Sequence, residues 1–332
     1  MPPYRFEVDP NSRNIEKGAT ISNPQHSNPE EDELWVKAKS AEGAERADAL
    51  VHLSYIAHSR NDYEQSLALC ESAKEIYESL GAETSNEVLA HVYSGISYSL
   101  NEMQRNEEAV NAGKHAIELL EEIDSVEVLR AYRDEGRFAF EAKNYQDSLA
   151  WYLKALNFVS PDEKEFHKAW DQFYVARALI KLDQAEEAVQ FLKSAREIFK
   201  ADKSLLQVTF CDEELALAYL QLGQLEFAKA HAELAVDFAA TAEDEVRQYW
   251  SGIRFAQVCE VGGEFQTALN NYKTAKSWEV GNSKYTYWPH VFQIELQMAN
   301  CLEGLGQLDA AIEVRRRINS LSESLGTDPE MP

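Results

Sequence analysis

The chain has 332 residues, of which 57 are Asp or Glu and 32 are Lys or Arg, so its formal net charge is -25 at pH 7. Binding to phosphates or anionic lipids needs a positive surface, and this charge argues against direct contact with nucleic acid or a membrane. A hydrophobic fraction of 45 % is ordinary for a folded globular protein and excludes a wholly disordered chain.

The N-terminal 33 residues are polar and rich in proline, and they end in an acidic run at residues 30–33. This composition predicts a disordered arm over residues 1–33. Leu34, Trp35 and Val36 then indicate a capping helix at residues 34–42. The sequence has no apolar run of 18 residues and no apolar core near its start, so we expect a cytoplasmic protein without a membrane span or signal peptide.

From residue 34 to residue 326 the only prolines are Pro161 and Pro289, so nearly all of this stretch can be helical. A small residue recurs in it about every 40 positions, which is typical of a solenoid. The recurring residues are Ser54, Gly95, Gly136, Ala176, Ala216, Ala256 and Ala299. Such residues let helix axes approach to about 8–10 Å.

A second small residue follows the first after 12 positions in six of the seven units, and a third follows after seven more. In the second unit Ala109 comes 14 positions after Gly95, which predicts a longer loop there. Helix breakers stand between the first and second small residues, as in Asn61-Asp62, Lys143-Asn144 and Gly262-Gly263. Each unit is therefore predicted to be a helix, a tight turn and a second helix.

Residues 144–156 (NYQDSLAWYLKAL) and 217–228 (LAYLQLGQLEFA) resemble units of the tetratricopeptide repeat (TPR) family. The resemblance covers about residues 43–326, leaving a short tail at 327–332. It implies an all-α, right-handed α-solenoid of about seven helix-turn-helix TPR-like repeats. The common unit of the family has about 34 residues, so this chain is similar to its long-unit type of about 40 residues. HEAT repeats have a similar period and are the alternative, but the constant spacing and the glycine turns favour the TPR type.

Catalytic motifs for phosphate binding, acyl transfer or zinc proteolysis do not occur in the sequence. The histidines are never spaced by three or four positions, as a metal-binding helix would need. Cys70, Cys211, Cys259 and Cys301 are far apart and are predicted to be reduced, packed thiols. We therefore expect a protein that is not an enzyme and needs no cofactor and no metal.

The resemblance implies that the first helices of the repeats line a concave groove. In each first helix, three residues would face this groove: the one directly after the small residue, and those three and six positions before the small residue. In the central units these places hold Arg130, Arg133, Arg137, Trp170, Phe173, Arg177, Phe210 and Trp250. Arginine forks bind carboxylates bidentately, and the aromatic rings would anchor apolar side chains. The predicted ligand is an acidic or carboxylate-bearing segment of a protein or peptide, and reversing Arg133 to Glu should abolish its capture without harming the fold.

The alternative for these arginines is internal neutralisation, since Asp134 follows Arg130 and Glu141 follows Arg137 at the i+4 position. Arg133 has no such partner in its own helix. The aromatic segment of residues 284–290 is a second candidate contact, with sealing of the core as the alternative.

These features favour a noncatalytic TPR scaffold or adaptor that recognises a partner segment. Two alternatives remain at this point: a peptide-sensing regulatory protein that acts through a partner, and an acidic decoy of a nucleic-acid-binding protein. The sequence carries no signal for the oligomeric state.

Overall fold

The structure, a computed structural model, describes residues 29–123, 125–158, 164–241, 244–281 and 288–325. The described secondary structure consists of fifteen α-helices and one 3₁₀ turn at Gly81–Glu83. The chain forms two compact units that divide between Leu182 and Asp183. Within the described residues, no helix combines the length and the apolar character that crossing a bilayer requires.

The first unit contains a capping helix, three helical hairpins and one further helix. Its helices are α1 Pro29–Ser40, α2 Gly43–Ser59, α3 Tyr63–Leu80, α4 Asn86–Glu102, α5 Asn106–Glu122, α6 Val128–Glu141, α7 Tyr145–Asn157 and α8 Glu165–Lys181. Helices α4 and α6 each pack on the second helix of their own hairpin and on that of the preceding one, while α2 packs on α1 and α3, and α8 packs on α7. The apolar core lies between these helices.

The second unit repeats this arrangement with helices of nearly constant length. Its helices are α9 Ala185–Ala201, α10 Leu205–Gln221, α11 Leu225–Thr241, α12 Glu245–Val261, α13 Phe265–Gly281, α14 Trp288–Gly304 and α15 Leu308–Leu325. The unit boundary falls within the fourth repeat, which α8 and α9 make up in sequence. The predicted all-α repeat of about 40 residues is confirmed.

Each turn between the two helices of a repeat places its middle residue in the left-handed region. That residue is Asn61, Gln104, Lys143, Asp183, Gly223, Gly263 or Gly306, with φ between 59° and 76°. A left-handed residue just past a helix end lets backbone N–H groups bond to the last free carbonyls of that helix. After α10, for example, Gln224 N donates to Tyr219 O at 2.9 Å.

Replacing Gly223 with Ala is expected to destabilise the protein by about 1–2 kcal/mol, because a Cβ is disfavoured at its φ of +67°. No heavy atom lies within 4 Å of the added Cβ, so steric contact adds nothing. Gly252 within α12 has the same open surroundings and is the matched control. There Ala should stabilise by about 0.5–1 kcal/mol, and equal effects of the two changes in urea denaturation would contradict this account.

The predicted small positions lie at helix crossings. All seven second small residues and all seven third ones, including Ile318, are buried. Gly136 shows the reason, since a Cβ added there would lie 2.8 Å from the ring of Tyr152 on α7. Helices α6 and α7 can approach this closely only because position 136 has no side chain.

The prediction for the second repeat is wrong by two positions. Its turn, residues 103–105, is three residues long like the other turns, and the small residue of α4 that lies 12 positions before Ala109 is Ser97 rather than Gly95. Ser97 Oγ donates to Ala109 O at 2.8 Å, as Ser148 Oγ donates to Gly136 O at 2.7 Å in the third repeat. Both bonds span 12 positions, so the loop of the second repeat is not longer.

Replacing Ala235 with Leu is expected to destabilise the protein by about 1–3 kcal/mol through overpacking. Ala235 is fully buried on α11. Ala230 is exposed on the same helix, and Leu there should change the melting temperature little. An unchanged melting temperature for Ala235→Leu would mean that position 235 does not lie at a close helix crossing.

The capping helix is longer than predicted. Helix α1 begins at Pro29, so residues 29–33, which we expected in a disordered arm, are helical, and residues 1–28 lie outside the described residues. Glu31 is buried and accepts hydrogen bonds from Arg60 at 2.9 and 2.5 Å. An acidic run is typical of a disordered segment, but here the Glu31 carboxylate binds Arg60 and so holds α1 against the end of α2.

Candidate functional site

A pocket lies between the first helices of the first three repeats. Its volume is about 260 Å³, and its walls come mainly from α2, α4 and α6. Ser54, Tyr55 and His58 line it from α2, while His91, Ser94 and Tyr98 line it from α4. Arg130 and Asp134 of α6 complete it, together with Glu127 just before that helix.

Polar groups and aromatic rings both line the pocket. Tyr55 is 53 % exposed and His91 is exposed, whereas Ser54 is buried. The Tyr98 ring packs edge-on against His58 at 6.2 Å and against Phe138 at 5.1 Å between centroids. These packed rings hold the hydroxyl and imidazole groups in place, so the pocket is preformed and rich in hydrogen-bonding groups.

Arg130 and Asp134 form an open pair of opposite charges at the pocket. Arg130 Nε lies 3.7 Å from Asp134 Oδ2, beyond a direct hydrogen bond, and the Arg130 side chain is 75 % exposed. Burial raises the pKa of Asp134, although Tyr98, Arg137 and Arg130 act in the opposite direction. Burial also raises the pKa of Tyr98, and the Asp134 carboxylate adds to that shift. Tyr98 is therefore a neutral hydrogen-bonding group beside a carboxylate.

The pocket residues on α4 were not among those predicted from the sequence. With Ser97 as the small residue of α4, the three groove positions of the second repeat become His91, Ser94 and Tyr98, all of which line the pocket. The signal that could have found them is the spacing of 12 from Ser97 to Ala109, which matches the other repeats.

Arg133 forms an ion pair with a carboxylate of the neighbouring repeat. Its Nε donates to Asp171 Oδ1 at 2.8 Å and one of its terminal nitrogens donates to Oδ2 at 2.6 Å. The Asp171 side chain on α8 is 2 % exposed, so the carboxylate of this bidentate pair is buried. Arg133 therefore holds α6 to α8, and its reversal to Glu would disturb the fold, contrary to the sequence expectation.

The other predicted residues of the first unit form a mixed cationic and aromatic surface. Arg137 donates to Glu141 at 2.9 Å and lies over the rings of Phe138 and Tyr98. Arg177 lies over Phe140 at 4.7 Å and over Phe173 at 5.8 Å. Phe173 is buried, so it supports this surface from below and is not an exposed anchor.

Trp170 belongs to the same surface. Its ring is half-buried and stacks on Tyr174 with 5.8 Å between centroids. The structure thus brings Arg137, Trp170 and Arg177 together with aromatic neighbours on α6 and α8. We call these three residues the cationic-aromatic face.

Phe210 and Trp250 belong to the second unit. Phe210 is buried beneath the Arg247 guanidinium, which lies 4.4 Å from its ring, so it too is a core residue and not an anchor. Trp250 is half-buried and packs on His290 at 4.9 Å. Tyr249 Oη is hydrogen-bonded to His290 Nδ1 at 2.8 Å, so this histidine packs against α12. Residues 284–287 of the predicted aromatic contact lie outside the described residues.

Metal-ligand clusters of three or more His, Cys, Asp or Glu side chains do not occur in the described part of the chain. The four cysteines are free and buried, as predicted. Burial raises the pKa of the Cys70 and Cys259 thiols to about 11. These thiols are packing groups at neutral pH.

Comparison with known proteins shows the fold. No family model matches the sequence, and a search of curated proteins finds no match. A signal transduction ATPase with numerous domains from Pyrococcus horikoshii, which carries a tetratricopeptide repeat sensor, has a TM-score of 0.66 at 15 % identity. That match covers 84 % of this chain and 43 % of the other, so this chain spans less than half the length of that protein.

Two further structures are similar at low identity. The Rap conjugation gene regulator of plasmid pLS20, in complex with the Phr* peptide, has a TM-score of 0.54 at 18 % identity and covers 84 % of this chain and 75 % of its own. Aspartyl phosphate phosphatase F from Bacillus subtilis has a TM-score of 0.60 at 12 % identity, covering 86 % and 73 %. The chain therefore has the fold of tetratricopeptide-repeat proteins.

Proposed function

We propose that this protein is a noncatalytic scaffold or adaptor that binds a segment of a partner protein along the first helices of residues 43–182. The observation that supports this most is the cationic-aromatic face, where Arg137 and Arg177 lie over aromatic rings. A guanidinium stacked on a ring keeps its N–H groups in its own plane, so it can still donate to a ligand at its edge. The stacking also fixes the side chain before a ligand arrives, which lowers the entropy cost of binding.

The chemistry of this face favours a segment that carries carboxylates. A bidentate bond from a fixed arginine to a carboxylate is stronger than a bond between neutral groups. Trp170 beside Arg177 offers a ring on which an apolar side chain of the same segment would pack. Arg130, near the start of α6, adds an exposed arginine to those that would bind the segment. Arg133 positions α6 through Asp171 and makes no direct contact with the segment.

A second candidate is a peptide-sensing regulator that acts through another protein. It is favoured by the fold shared with a Rap conjugation regulator whose structure contains the Phr* peptide. A sensor differs from a scaffold in that its peptide must change the structure or dynamics of the helical units. Hydrogen exchange with and without a bound peptide separates the two, because a scaffold shows protection only at the contact face.

A displayed library of random peptides, selected on the full chain, tests the proposal. Selected peptides should be rich in Asp and Glu, should protect α6 and α8 from hydrogen exchange, and should bind Arg177→Met at least about tenfold more weakly. Arg46→Met is the matched control, since Arg46 is exposed on α2 at none of the predicted groove positions and the charge change is the same. Equal binding by wild type and Arg177→Met would contradict the proposal, provided that the variant melts like the wild type.

A further inference from the structure

The pocket between α2, α4 and α6 has a charge pattern of its own. Arg130 and Asp134 stand 3.7 Å apart on the same wall, one positive and one negative, and neither makes a direct hydrogen bond to the other. A ligand with a single charge is attracted by one of these two residues and repelled by the other, and the Glu127 carboxylate at the pocket adds a second negative charge. A ligand with both charges, separated by a similar distance, is attracted by both residues.

The size of the pocket narrows the class of ligand. Pockets for drug-sized molecules have roughly 300–1,000 Å³, and this one has about 260 Å³. A peptide terminus brings either an ammonium or a carboxylate, but not both within about one residue. A free α-amino acid brings both on neighbouring atoms and is small enough to be enclosed.

The walls supply the remaining contacts. The hydroxyl of Ser94 and the imidazole of His91 can bond to ligand oxygens or to a polar side chain, whereas the buried Ser54 hydroxyl donates to Val51 O. Leu120 and the rings of Tyr55 and Tyr98 offer apolar surface for the ligand side chain. Aromatic rings beside the anionic Asp134 also suit an ammonium group, which is attracted to the face of a ring.

We infer that this pocket is a binding site for a free α-amino acid, whose carboxylate is held by Arg130 and whose ammonium is held by Asp134. The site borders the cationic-aromatic face, because Arg137 lies over the ring of Tyr98, and it shares Arg130 with the set proposed to bind the segment. A free amino acid is a different ligand from a partner segment, so its binding is an activity beyond the proposed one. Both the ligand carboxylate and the ligand ammonium contribute, because each replaces the loose contact between Arg130 and Asp134 by a charge-assisted hydrogen bond.

Isothermal titration of the full chain with each of the twenty common L-amino acids tests this inference. At least one should bind with a dissociation constant below about 1 mM. For the tightest one, the N-acetyl derivative and the carboxamide derivative should each bind at least about tenfold more weakly, because each removes one charge. The inference is overturned if no amino acid binds at 10 mM (roughly the weak limit of such recognition). It is equally overturned if either derivative binds as well as the free amino acid, since a peptide terminus would then be the ligand.

Two variants assign the charges to the residues. Arg130→Met should bind the free acid and the carboxamide equally, while it still rejects the N-acetyl derivative. Asp134→Asn should do the reverse. Arg46→Met, which removes an exposed charge of α2 that does not line the pocket, should keep the full preference. If both pocket variants retain the preferences of the wild type, binding occurs elsewhere and the assignment is wrong.

Discussion

Replacing Arg133 with Met is expected to lower the free energy of unfolding by about 3–5 kcal/mol, the usual cost of removing one partner from a buried ion pair. Asp171 is the reason, because its side chain is 2 % exposed and both of its oxygens accept hydrogen bonds from Arg133. Met keeps the length and apolar stem of the side chain, so the loss reports the missing guanidinium. Urea denaturation followed by circular dichroism measures it.

Two further variants make this prediction specific. Arg130→Met removes an arginine one turn away on the same helix, but its side chain is 75 % exposed and only loosely paired, so the effect should stay below about 1 kcal/mol. In the double variant Arg133→Met/Asp171→Leu, neither charge remains, and stability should return close to that of the wild type. A single variant as stable as Arg130→Met would show that the pair contributes nothing.

The pair of Arg133 and Asp171 could not be predicted from the sequence, unlike the ion pairs within one helix. The pairs Arg130–Asp134 and Arg137–Glu141 were expected from their i+4 spacing alone. The partner of Arg133 lies 38 residues away, and finding it requires the register between two repeats. The contact joins the position three before the small residue of one repeat to the position five before that of the next. Glu213 and Ser251 repeat this geometry in the second unit, with 2.5 Å between Oε1 and Oγ.

The repeat period and the third small positions were predictable because close helix crossings exclude large side chains at fixed intervals. The pocket was not predictable, since choosing Gly95 over Ser97 shifts α4 by two residues. At 3.6 residues per turn this rotates the assigned face by about 200°, so the residues taken to face the groove lay on the opposite side. Phe173 and Phe210 show a different limit, because an aromatic residue at a groove position can point inward and be buried.

Raising the pH from 5 to 8.5 is expected to destabilise the protein relative to its Glu135→Gln variant by about 4 kcal/mol. Glu135 is 2 % exposed between α4, α5 and α6, and a Cβ on Gly113 would lie 1.7 Å from its Oε1. Ser97 Oγ lies 3.1 Å from Oε1 but gives its only proton to Ala109 O, and Oε2 is buried without a hydrogen bond from the described residues. Burial raises the pKa of Glu135 from 4.5 to about 8.

The sign follows from proton binding. Between pH 4.5 and about 8 the folded state holds a proton on Glu135 that the unfolded chain has released, so stability is lost as the pH rises through this window and the loss levels off above it. Gln cannot ionise, so the difference between the two stability curves isolates this one group from all others that titrate. Gln adds a buried amide of its own, which shifts its curve by a constant amount that does not depend on pH. Glu107→Gln, a change at an exposed position of α5, should give a curve parallel to that of the wild type. If Glu135→Gln also runs parallel, the carboxyl is ionised in the folded protein and must be compensated within the helical core.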